Sequence, residues 1–142
     1  MADNPQVILS DAVIKNKALA FVGAFRYLYY TMNKKSIKTI SLTPPIDASR
    51  AAAIGLVLHD QFKRGGTAIG LARARDLKNR RTLTPETIKR MYSYFARHEV
   101  DKKGKNFFNK EKPSNGYIAW LLWGGEPGKI WATNLYKNYF KK

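Results

Sequence analysis

Between Pro113 and Ala132 the chain reads PSNGYIAWLLWGGEPGKIWA, a stretch that holds all three of its tryptophans and four of its ten glycines. That pairing narrows the folds open to the chain. Tryptophan carries a very large apolar surface that a folded chain tends to bury. Glycine marks places where the backbone turns with positive φ or where two backbones approach closely. Tyr117, Trp120 and Leu121 stand at i, i+3 and i+4, one face of a short helix from about Gly116 to Trp123. Gly124 and Gly125 end that helix. A GEPG turn follows, and a last helix from about Lys129 to Phe140 brings Ile130, Trp131 and Leu135 back. The stretch therefore reads as a helical corner, bent by glycine and filled by tryptophan. Its alternative is an exposed stacking platform, since aromatic faces hold unpaired bases at about 1–3 kcal/mol each. Helical spacing of the aromatics favours the packed corner.

The remaining patterns are helical too. Ser10 or Asp11 caps a helix to about Met32, with Ile14, Ala18, Phe21, Phe25, Leu28 and Met32 on one face. Its other side is also apolar (Leu19, Val22, Tyr27, Tyr30), so it suits burial on two sides or contact with a second copy. NKKSIKTISLTPP reads as an extended linker closed by Pro44 and Pro45. A helix capped by Asp47 follows, with Ala51, Ile54, Leu58 and Phe62 as its core face and Gly65-Gly66 as its end. Thr67 caps the next, TAIGLARARDLKN. Thr84 and Pro85 then open the most clearly patterned helix. Ile88, Met91, Tyr92 and Phe95 line its apolar face, while Glu86, Arg90, Ser93, Tyr94 and Arg97 occupy the other. It stops near Glu99, ahead of the polar loop DKKGKNFFNKEKPSNG. The expected architecture is all-α: one compact domain of about five to six helices with a Trp/Gly-rich corner near the C-terminus. Residues 1–45 supply a helix and linker, and residues 46–142 a basic helical domain.

Charge decides which partners suit such a body. The chain carries 26 Lys and Arg against 10 Asp and Glu, a net charge of +16. Residues 33–110 alone hold eighteen bases and six acids. That exceeds the magnitude of about 2–8 that solubility asks of a small domain, and it points to a polyanion. At 44% hydrophobic and 13% aromatic the chain is a folding sequence rather than a disordered basic tail. It has no cysteine, so disulfides and thiolate chemistry are excluded. MADNPQVILSDAV lacks the pattern of a secretory signal, and the most apolar run, ALAFVGAF, is far short of a bilayer span. A soluble protein without a membrane partner is expected.

Arg73, Arg75, Lys78, Arg80 and Arg81 crowd one helix and the turn after it, and Lys89, Arg90 and Arg97 follow on the next helix. Arg90, Tyr94 and Arg97 share a face, which sets an aromatic ring between two guanidiniums. Guanidinium forks donate two parallel hydrogen bonds to phosphate, and the start of the helix at Thr84 adds backbone N–H groups. These nine residues are the candidate nucleic-acid-binding set, with DNA ahead of RNA. The two helices and their NRRTL turn also have the outline of a helix-turn-helix. A pairing of Arg73 with Asp76, three residues on, competes with phosphate binding. His98, Glu99 and Asp101 in ARHEVDKK offer a second chemistry, metal binding or proton transfer in a small nuclease. The competing reading is a helix end, where histidine complements the dipole. There is no GxxxxGK[ST] loop and no dinucleotide fingerprint, so no cofactor is called for.

The blocks RARDLKNR, TPETIKRM, FARHEVDK and AWLLWGG resemble a small domain of tailed-phage proteins, cyanophage-like ones in particular, that also accompanies head and prohead-protease gene products. The resemblance covers about residues 60–132 and implies a phage gene product acting in the host cytoplasm or the virion. No protease motif is present, so proteolysis does not carry over. Two expectations follow: a non-enzymatic protein that binds nucleic acid through phosphate, or a head-associated or cement component of the particle.

Overall fold

A computed structural model describes residues 40–142, of which Ser41–Lys142 form one compact unit. The N-terminal helix expected to about Met32, and its use as an oligomer contact, lie outside the described residues. The described chain is all-helical and contains no strand. Five α-helices follow in order: α1 (Ile46–Phe62), α2 (Ala68–Lys78), α3 (Pro85–His98), α4 (Asn115–Leu122) and α5 (Gly125–Leu135). A 3-10 turn, Glu99–Lys103, extends α3, and a π-helical turn, Tyr136–Phe140, extends α5. α1 lies at the centre, against α2, α4 and α5, and α3 closes the other side against α4 and α5.

The start of α1 differs from the expectation. Pro45 holds the N-cap position, with its carbonyl accepting from Ser49 N–H at 3.1 Å, and Asp47 sits in the first turn. Its buried face differs as well. Ala48, Ala51, Ala52 and Gly55 are the buried residues, while Ile54 is 52% exposed. The cause is the close approach of α4: a Cβ on Gly55 would stand 2.7 Å from the backbone nitrogen of Leu122. Small residues let the helices touch along their backbones; Ala51 keeps its expected place, Leu58 and Phe62 pack in part on the core, and Ile54 turns aside. Lys63 ends α1 in the left-handed region at φ 54°, two residues ahead of the glycine pair. His59 Nδ1 donates to the carbonyls of Arg64 (3.1 Å) and Gly65 (2.7 Å) and holds that reversal.

The other caps follow their sequence signals. Thr67 Oγ1 accepts from Gly70 N–H at 3.2 Å, and Thr84 Oγ1 accepts from Thr87 N–H at 3.2 Å with Pro85 in the first turn. Ser114 caps α4 in the same way. In α3, Ile88, Met91 and Phe95 are buried as their spacing predicts. The supposed GEPG turn is the first turn of α5, and Gly124, at φ 112°, is the hinge. Glu126 suits a helix start electrostatically, and Pro127 still falls within the first turn, where a missing N–H costs nothing.

The corner is aromatic. Trp120 is 3% exposed and Trp123 9%, whereas Trp131 packs against the core only in part. Trp120 meets Phe95 edge-on at 4.8 Å between ring centres. The polar loop after α3 contributes a core residue that periodicity misses: Phe107 is buried, edge-on to Tyr117 and to Trp120.

Candidate anion-binding cleft

α2 packs on α1 and α4 but not on α3. The helix-turn-helix outline therefore does not form, because that motif packs its two helices together. Between α2 and α3 lies a cleft of about 840 Å³. One wall is α3, through Lys89, Arg90, Ser93, Arg97 and His98. The loop and first turn of α2 supply a second wall (Gly65, Gly66, Thr67, Ile69), and the start of α4 a third (Asn115, Gly116, Ala119). Tyr94 and Trp123 lie at its base.

Glycine makes this meeting of three segments feasible. Gly65 has φ 83°, and a Cβ there would come 2.6 Å from that of Ile118. A Cβ on Gly66, at φ 77°, would stand 2.4 Å from Leu122 Cδ1. The loop thus lies directly on α4 and carries the start of α2 to the cleft. Arg64 Nη2 donates to Pro113 O at 2.8 Å and ties the loop to the chain entering α4. Two helix N-termini, each a partial positive charge, consequently border the same space as three cationic side chains.

The nine candidate residues separate here. Lys89, Arg90, Tyr94 and Arg97 come together at the cleft. Arg73 does not join them as a free cation. Its Nη1 lies 2.9 Å from Asp76 Oδ2, its side chain is mostly buried, and its guanidinium stands 6.0 Å from the Trp123 ring. Burial, offset in part by Asp76, lowers its pKa, and Arg90 lowers it further. Arg80 has φ 50° and donates from Nε to Pro44 O at 2.8 Å, which fixes the turn. Arg81 shares Asp76 at 3.6 Å but is largely exposed. Arg75 and Lys78 are exposed and make no ion pair with a described residue.

Tyr94 needs a correction. It is 6% exposed, stacked on Trp123 at 4.5 Å and 9° and on His98 at 4.5 Å, so its ring is not an open platform between Arg90 and Arg97. Burial, with the Asp101 carboxylate second, pushes its pKa well up, so the hydroxyl keeps its proton. That hydroxyl is buried and has no hydrogen-bond partner among the described residues.

His98, Glu99 and Asp101 do not converge. His98 Nδ1 donates to Asp101 Oδ2 at 3.0 Å, and both residues border the cleft. Glu99 instead joins Lys102 (3.0 Å) and Lys129 (2.9 Å), beside Glu126. Hydrogen bonds from Lys129 and Lys102 hold its carboxyl below the usual range. Among the described residues no group of three His, Asp or Glu side chains is placed to hold a metal ion. No described helix is long and apolar enough to cross a membrane.

Comparison with protein-family models, curated proteins and solved structures finds no match to this chain. The likeness of residues 60–132 to a tailed-phage domain accordingly rests on the sequence blocks alone.

Proposed function

We propose that the protein is a phage-encoded, non-enzymatic nucleic-acid-binding protein that engages chiefly the phosphate backbone, DNA ahead of RNA. One observation supports this most: Lys89, Arg90 and Arg97 stand on one wall of a single cleft and make no ion pair with a described residue, while Asp76, Asp101 and Glu99 are held by other partners. Asp76 is held by Arg73 and Arg81, Asp101 by His98, and Glu99 by Lys102 and Lys129. Arg75 and Lys78 add exposed charge on α2. With Arg73 and Arg80 given to the fold, about five phosphates are engaged, and log K should fall against log salt with a slope of about −4 to −5. A titration of duplex and single-stranded DNA from low to high salt reads that slope. Affinity that does not change with salt removes the reading.

The second reading, a head-associated component of the virion, draws support from α1. Ile46, Ile54 and Val57 recur on its outer side and are each half or more exposed, an apolar strip suited to a protein partner. A particle component should occur at fixed, stoichiometric copy number in purified virions, read by quantitative mass spectrometry. Its absence from them would leave only the first reading.

A further inference from the structure

We propose that the cleft between α2 and α3 binds one nucleotide unit, at a strand end or swung out of the stack, with its phosphate on Arg90 and Arg97 and its base against the apolar part of the lining, Ile69 and Ala119. The inference deepens the nucleic-acid reading and rests on the phosphate-binding character of that wall.

Three independent observations lead there. The first is charge. Lys89, Arg90 and Arg97 border the cleft, and the one carboxylate facing it among the described residues, Asp101, is already bonded to His98. The starts of α2 and α4 border it too, and both helices present unpaired N–H groups in their first turns as a matter of helix geometry. The second is the Tyr94 hydroxyl. It belongs to a residue that lines the cleft, it remains an O–H donor, and it has no partner among the described residues. A buried hydroxyl without a partner is unfavourable, so a ligand whose binding shifts the Tyr94 ring enough to accept from it relieves a cost the fold carries alone. The third is the mixed lining. A site for phosphate alone needs donors only. This one also offers Ile69, Ala119 and Trp123 as apolar surface, with Thr67, Ser93 and Asn115 able to read a polar edge. Its volume of about 840 Å³ lies in the range of sites that enclose a small organic ligand. A phosphate joined to a flat ring with donor and acceptor edges matches that combination.

The test uses the full chain and three probes: a nucleoside 5′-monophosphate, inorganic phosphate, and the nucleoside without phosphate. Calorimetry and amide chemical-shift mapping read the result. The monophosphate should bind at least about tenfold tighter than either fragment, since ring contact and phosphate contact add. Shifts should concentrate on the amides of Gly65, Gly66 and Gly116 and on the Trp123 indole N–H. Arg97→Gln should weaken the monophosphate by about tenfold by removing a charge-assisted bond. Ser93→Phe, on the exposed wall, should block the cleft while circular dichroism keeps its helical signal. Nucleotide affinity equal to that of inorganic phosphate, or shifts on another face, overturns the proposal without any variant. DNA binding that keeps its salt slope while the monophosphate fails to bind sinks the cleft alone. Monophosphate binding without DNA binding supports the cleft and removes the backbone reading.

Discussion

Reversing Arg90 and Arg97 together to Glu should weaken binding to DNA of every sequence by at least about 100-fold, with little change in thermal stability. Two charge-assisted hydrogen bonds to phosphate are worth about 1.5–3 kcal/mol each, so their loss alone reaches two decades, and the new carboxylates add repulsion. The salt slope should become shallower by about 2, because two phosphate contacts disappear. The fold should tolerate both changes. Each side chain is exposed and pairs with no described residue, and a carboxylate at position 90 would lie near the mostly buried Arg73, its electrostatic neighbour. Filter binding at several salt concentrations, beside a melting curve, separates the two effects. A loss confined to one sequence would instead indicate reading of base edges. Unchanged affinity would place the polyanion contact elsewhere on the protein, and Arg75→Glu with Lys78→Glu would then be the informative pair.

Why some of this was legible from residue order, and some not, follows from where each signal lives. α3 announces itself through Thr84, Pro85 and a strong apolar face, and those are local properties that neighbours did not override. α1 is different. Its core face is set by how near α4 comes, and Gly55 permits an approach at which Ala and Gly, not Ile54, fill the interface. Hydrophobicity alone ranks those residues in the wrong order. Phe107 lies in a loop of lysines and asparagines, with no period to mark it as core. The cleft divides in the same way. Its cations, Lys89, Arg90 and Arg97, stand out along one helix. The walls opposite come from residues 65–69 and 115–119, about fifty residues apart in the chain and joined by glycine contacts that leave no local pattern. Tyr94 sits at the border of the apolar and polar faces of α3, and only the arrival of Trp123 decides that it is covered.

That same corner sets the second large effect. Trp120→Ala should destabilise the domain by about 3–5 kcal/mol, the usual loss for truncating a buried tryptophan, and Trp131→Ala by only about 1–2. The difference lies in what each ring joins. Trp120 meets Phe95 of α3 at 4.8 Å, Phe107 of the loop at 6.1 Å and Tyr94 at 6.4 Å, and Lys102 Nζ lies 4.6 Å from its ring centre. It therefore holds α3, α4 and the loop after the 3-10 turn around one ring, whereas Trp123 on Tyr94 and Tyr117 on Phe107 each join only two of them. Trp131 is only partly covered, and solvent already occupies part of its surroundings. Set against a total stability of about 5–15 kcal/mol, the first change removes about a fifth or more and should lower Tm by on the order of 20 °C. Denaturant titrations of both variants read the ratio, with the midpoint falling and the slope unchanged for each. Equal losses at the two positions would mean that the corner is held by total tryptophan area. A loss at Trp120 several times that at Trp131 would tie it to the place where Phe95 and Phe107 meet.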